Sequence, residues 1–283
     1  MQLYHRLCVR PERRAGDLLS GLGVAHLTAL ELEPVAFVAQ AAEAGFSAVG
    51  LRLHPASQGG VCYPLEPGSV GHRRLLSALK DHAMVLHDAE FVQLTPDVEI
   101  ARLLPLLEGA AQAGAHCLNV SGDDQLQGRL VENFAALCEL ARPFGLRIDL
   151  EFMRWRPIAT LQQACDVVSQ AGQANAGILV DALHLYRSGG CASDLLQVPP
   201  RFLKALQLCD APAQSPPEDS IIAEAREGRL PPGEGALPLT EVLRAMPAGT
   251  ELSVEMPYPS LPAPERLALA YRKTRELLAA SAG

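Results

Sequence analysis

The chain has 283 residues, 48% hydrophobic and 20% charged, with a formal net charge of −8. This is globular composition, with length for one barrel-sized domain or two ordinary ones. The acidic balance argues against gripping a nucleic-acid backbone, and no apolar run approaches the roughly 20 residues of a membrane span.

In chain order, short apolar runs alternate with longer stretches of helical period. The predicted strands are 22–28, 48–54, 84–91, 116–122, 146–152, 176–182, 203–210 and 251–257. Between them lie helix-period stretches such as EPVAFVAQAAEAG, HRRLLSALKDHA and LVENFAALCELARPFG, several ending in the glycine that stops a helix. APERLALAYRKTRELLAA reads as a terminal amphipathic helix. Eight strands alternating with helices predict an α/β fold, a (β/α)8 TIM barrel forming one domain over 1–283. A doubly wound open sheet would stop near about five or six strands, and no GxGxxG follows the first strand. The Pro-rich stretches APAQSPPEDS and LPPGEGALPL fall after strand seven and predict a long βα loop, which in a barrel covers the active-site mouth.

The N-terminus MQLYHRLCVRPERR is too charged for a secretory signal. Cysteines 8, 62, 117, 138, 165, 191 and 209 form no CxxC pair, which predicts free thiols and a cytoplasmic location.

The last four strands each end in an acidic or amide side chain: Glu151, Asp181, Gln207 and Glu255. In a barrel these ends converge on one mouth. Carboxylates brought face to face repel and take up protons unless a cation neutralises them. Hard oxygen donors of this kind suit a shared divalent ion. The bland alternative is four independent rim residues that cap helices or form ion pairs.

The stretches LEF (150–152), DALHLYRSGG (181–190), QLCDAP (207–212), RLPPGEG (229–235) and VEMP (254–257) resemble the xylose isomerase-like TIM-barrel superfamily, over nearly the whole chain. That superfamily includes sugar (phosphate) isomerases and epimerases, inosose isomerases and dehydratases, and bacterial 3-dehydroshikimate dehydratases. Its members typically hold a metal with Glu, Asp, His and Glu from the last four strands. The resemblance implies Glu151, Asp181, Gln207 and Glu255 as metal ligands. Gln207 departs from the usual His, and an amide oxygen favours Mn, Mg or Co over Zn.

The resemblance implies, first, a metal-dependent isomerase or epimerase acting on a sugar or cyclitol ketone through a metal-stabilised enediolate, with Glu151 and Glu255 exchanging the proton. The alternative is a 3-dehydroshikimate dehydratase-type lyase. It is suggested by Gln207 with the run Asp181, His184, Arg187, and His184 would then be base or acid. A second alternative is a catalytically silent sugar-binding relative. The superfamily's DNA-repair branch resembles this chain least, and its charge opposes DNA binding. The expected partner is a small polyhydroxy ketone, with neither nucleic acid nor membrane, and the relatives suggest a homo-oligomer. Candidate substrate contacts are His54, His87 and Glu90 near the ends of strands two and three. Arg187 and Arg226 could hold a substrate carboxylate or phosphate. Glu234 lies in the GEG turn. Asp210 could support the ligands from behind, and Trp155 could wall the pocket. A strand-end His or loop Arg is as readily structural.

Overall fold

The structure is a computed structural model that describes residues 21–57 and 59–281. The charged N-terminal segment and Cys8 lie outside the described residues. Eight parallel strands close into a barrel in sequence order. They are β1 (Gly23–Val24), β2 (Ala48–Arg52), β3 (Val85–Leu94), β4 (Cys117–Gly122), β5 (Arg147–Glu151), β6 (Ala176–Asp181), β7 (Leu203–Leu208) and β8 (Glu251–Val254). The helices are α1 (Pro34–Ala44), α2 (Val70–Asp81), α3 (Leu104–Gln112), α4 (Gln127–Ala141), α5 (Leu161–Ala171), α6 (Ala182–Arg187), α7 (Ala192–Leu195), α8 (Ile221–Glu227), α9 (Leu239–Ala245) and α10 (Ala263–Ser281).

Helix boundaries follow local chemistry. Ser69 caps α2 by accepting the His72 N–H, and Thr160 and Gln163 form a capping box on α5. Gly45 and Gly172 end α1 and α5 with φ of 105° and 64°, a left-handed conformation that suits a residue without Cβ.

Strand β1 is shorter than the sequence predicts. After Val24 the chain turns into a 3₁₀ segment, His26–Ala29. The His26 ring holds that turn, accepting the Arg52 N–H at Nδ1 and donating from Nε2 to the Leu32 carbonyl. Strand β3 is longer than predicted and runs to Leu94.

The outward faces of the strands build the apolar core with the helices, for example Leu118, Val120, Ile148 and Leu150 with Leu130, Phe134 and Leu137. The inward faces are unusually polar: Arg52, Glu90, Asn119, Asp149, Glu151, Asp181, Gln207, Ser253 and Glu255 are all buried. Among the described residues no helix is long and apolar enough to cross a membrane, and the six described cysteines are free.

Candidate active site

Parallel closure puts the C-terminal strand ends at one mouth. Glu151 ends β5, Asp181 ends β6 and pairs in register with Gln207 of β7, and Glu255 follows β8. A cavity of about 220 Å³ opens there, lined by Glu151, Gln207, Glu255, His184, Arg52 and Glu90 on its polar side. Leu27, Leu30, Phe91, Met153 and Trp155 form an apolar wall.

The cation at the centre is Arg229, which opens the RLPPGEG stretch but is not among the candidate contacts read from the sequence. Its guanidinium is buried and donates to Asp181 Oδ2 at 2.5 Å and to Glu255 Oε2 at 2.7 Å. A third donor, Nε, is spent on the Ala225 carbonyl. The long loop after β7 delivers Arg229 through a local fold. Asp210 and Leu230 exchange both backbone hydrogen bonds across an antiparallel bridge. The Asp210 carboxylate then accepts the N–H groups of Gly233 and Leu237. Gly235 is required here, because a Cβ would run into Asp210 and the Ala211 carbonyl. Asp210 therefore shapes the loop.

Asp181 also caps α6, accepting the His184 N–H at 3.0 Å. That cap turns the His184 ring into the pocket, with Nε2 3.6 Å from Glu151 Oε1 and the Trp155 ring edge-on at 5.0 Å between centroids. Burial pushes His184 down to about 4, so its imidazole is neutral at neutral pH. Burial, reinforced by the Glu255 and Asp181 charges, raises Glu151 well above the usual carboxylate range. Burial lifts Glu255 to about 7 although Arg229 pulls the other way. Asp181 stays low because Arg229 and His184 outweigh its burial.

The residues present fit a divalent cation. Glu151 and Asp181 each place a possible ligand oxygen within 4.8 Å of the other, and a His184 ring nitrogen lies within the same distance of both. Gln207 Oε1 is buried with no hydrogen-bond partner, the state of a donor that has a ligand to bind. Among the described residues, Glu90 pairs with Arg52 and Asp181 and Glu255 share Arg229, while Glu151 has no arginine or lysine partner, so the ionised carboxylates outnumber the cations they pair with.

The other predicted contacts divide. Glu90 and Arg226 line the pocket; Glu90 takes both Nε (3.0 Å) and Nη2 (2.9 Å) of Arg52, and Arg226 is exposed at the rim. His87 does not reach it. Because β3 extends to Leu94, His87 sits at the opposite mouth, 5.7 Å from the His116 ring in a cluster with Glu251 and Arg147. His54 lies beside the pocket, in a second cavity with Gln93 and Thr95, and donates from Nδ1 to the Phe91 carbonyl. Arg187 is a strut: Glu224 takes two of its donors at 2.8 and 2.7 Å and the Pro212 carbonyl a third. Glu234 points to α10, where it pairs with Lys273 at 2.8 Å. Trp155 walls the pocket. Arg52, Asn119 and Arg156 also line it and were missed. For Arg52 a signal existed: a charge inside the buried run AVGLRLH needs a partner, and Glu90 supplies it.

The xylose isomerase-like TIM barrel family model matches residues 38–279. The chain belongs to that family. A 3-dehydroshikimate dehydratase of Pseudomonas aeruginosa is 31% identical over 129 residues, covering 45% of this chain and 20% of that protein. An inosose isomerase of Bacillus velezensis is 28% identical over 126 residues, covering 44% of this chain and 43% of that protein. The matches thus span about a fifth and about two fifths of these relatives' lengths. Among solved structures, an IOLI protein with a bound zinc atom superposes with a TM-score of 0.76 at 20% identity, covering 92% of this chain and 98% of that one. A probable 3-DHS dehydratase of Bacillus anthracis gives 0.71 at 14%, covering 89% and 97%. These likenesses establish the fold.

Proposed function

We propose that this chain is a divalent-metal-dependent dehydratase of the 3-dehydroshikimate type, acting on a small cyclic hydroxy ketone. The observation that carries this reading is His184: a buried, neutral imidazole aimed into the pocket, with a carboxylate 3.6 Å away to balance the charge it gains. The sequence ranks isomerisation first. We place dehydration first on two observations: Arg229 holds Glu255 by a side-chain oxygen, and His184 Nδ1 is buried without a hydrogen-bond partner among the described residues.

A divalent ion held by Glu151, Asp181, Gln207 and Glu255 would supply positive charge where the ketone oxygen becomes negative. The remaining work falls to the protein. His184 takes the proton from the carbon beside the carbonyl at its unprotonated ring nitrogen. Glu151 stabilises the imidazolium. The same proton then passes to the departing β-hydroxyl, so a C–H and a C–O bond break, a C=C bond forms and water leaves. Trp155 and Met153 cover one side of the pocket and keep bulk water from it, and the Arg52–Glu90 pair presents polar atoms to ring hydroxyls. Arg226 at the rim suits a substrate carboxylate. Cytoplasmic location and a homo-oligomer remain part of this reading.

A second reading, isomerisation or epimerisation, is favoured by Glu151 and Glu255, both raised toward the range where a carboxyl exchanges protons at neutral pH. One assay separates the two. Protein reconstituted with Mn, Mg or Co is given 3-dehydroshikimate and protocatechuate absorbance is followed. A metal-dependent rise is expected, lowered about 10²- to 10⁴-fold in His184→Asn. No rise with metal bound overturns the dehydratase reading, and turnover on a ketose and inosose panel would then support the isomerase.

A further inference from the structure

Beneath the pocket floor, Asp88 and Glu90 point from β3 into the barrel and share the space over Gly50 of β2. A Cβ built on Gly50 would meet Asp88 Oδ1 at 2.5 Å, Asp88 Oδ2 at 2.9 Å and Glu90 Oε1 at 2.9 Å. The two carboxyl groups are therefore neighbours, kept close by a strand position with no side chain. Asp88 Oδ1 and Glu90 Oε1 are both buried, and each is without a hydrogen-bond partner among the described residues. The other oxygen of Glu90, Oε2, takes both donors of Arg52. Two ionised carboxylates facing each other there would repel and leave two buried acceptors unsatisfied. A single proton removes both faults.

We propose that Asp88 is an un-ionised carboxylic acid that donates its proton to Glu90, and that it acts as a positioning residue holding Glu90 turned toward Arg52 in the pocket floor. The proton is assigned to Asp88 because Glu90 Oε2 already accepts both donors of Arg52, whereas Asp88 has no ion pair among the described residues. With Asp88 neutral, the Arg52–Glu90 pair presents a floor of no net charge. An ionised Asp88 would add a negative charge below the candidate metal ligands and compete for Arg52. The consequence for turnover rests on the pocket being the active site. The shared proton does not, and it can be read on resting protein.

The surroundings support the assignment. Asp88 is faced by Glu90 and His87 on its own strand, Arg52 on β2, Cys117 on β4, Asp149 with Arg147 on β5, and Glu251 and Glu255 on the β8 side. The cations are already matched: Arg52 by Glu90, and Arg147 by Asp149 and Glu251 at 2.7 and 2.8 Å. None is left for Asp88. Burial first, and Glu90 second, raise it well above the usual carboxylate range.

Infrared difference spectra of wild type and Asp88→Asn at neutral pH test this. A carbonyl band of an un-ionised carboxylic acid, shifted in D2O, is expected in wild type and lost in the variant, whose amide carries a donor for Glu90. No band assignable to Asp88 overturns the proposal. Asp88→Thr, which also carries a donor, serves if the amide variant does not fold. Stability against pH gives an independent reading. The native state keeps a proton that the unfolded chain gives up above about pH 4. Wild type should therefore lose stability relative to the variant as pH rises from about 4 to about 7, so that the Tm of the variant minus that of wild type rises over this range. A difference that stays constant or falls means a native Asp88 that is ionised, and overturns the proposal.

Discussion

Arg229 is a cation sealed from water that meets two carboxylates, one of them 48 residues back along the chain. Desolvating it is costly, and the cost is offset because both anions are desolvated with it and each donor has an acceptor. Removing one partner of such a set leaves an uncompensated buried charge. Arg229→Met should destabilise the metal-free protein by about 3–5 kcal/mol, measured by urea unfolding. Arg229→Lys should fall between, since a point charge cannot span two carboxylates as a planar fork does. Added divalent metal should recover part of the loss in Arg229→Met by replacing the missing positive charge beside Asp181 and Glu255. Equal stability of Arg229→Met and wild type without metal would show that the pairs contribute nothing. The strand-end acids were legible in the sequence because a charge closing a buried apolar run must meet a countercharge or an ion. Arg229 was not: it opens the RLPPGEG stretch, but nothing local gives it an inward direction that Arg226, three residues earlier, lacks. Only the Asp210–Leu230 bridge turns one inward and leaves the other at the rim.

At the scale of the element, the barrel interior is a set of strands that make room for one another's polar side chains. Gly23 of β1 lies under His87, with a built Cβ 2.8 Å from Nδ1. Gly50 lies under Asp88 and Glu90, and Gly177 of β6 lies under Asp149. The strand count was readable from the short apolar runs. The strand ends were less so: β1 is stopped by the His26 hydrogen bonds, a tertiary cause, and β3 continues past Glu90 in a run whose apolar pattern does not mark the end. That error placed His87 at the wrong mouth. The glycines give a prediction with an internal control. Gly177→Ala forces a methyl into Asp149, which is pinned by two donors of Arg147, and should cost about 1–3 kcal/mol. Gly128→Ala, in α4 with nothing within 4 Å of a built Cβ, should be neutral or stabilising by up to about 1 kcal/mol. Thermal melts of the two variants check this, and a Gly177→Ala melt at or above wild type would mean that the barrel interior yields at no cost.

Across the whole molecule, the candidate metal ligands come from β5, β6, β7 and the end of β8, half of the barrel circumference. An ion bound there stabilises the closed barrel as a unit, because the unfolded chain does not bring these residues together. By mass action the gain is about 2.7 kcal/mol at a free-metal concentration a hundredfold above Kd. Gln207 separates the metal's contribution from that of the fold. Without an ion its buried Oε1 has no partner, so Gln207→Leu replaces an unsatisfied polar atom by an apolar one of similar size. Such a change is close to neutral or stabilising. With an ion, the same change removes a ligand. The substitution should therefore leave the metal-free Tm unchanged or raised, while sharply reducing the rise in Tm on adding Mn, Mg or Co and weakening affinity measured by titration calorimetry. A variant that melts lower without metal, yet shifts as much as wild type with it, would show that Gln207 is a packing residue and that the ion is held by Glu151, Asp181 and His184.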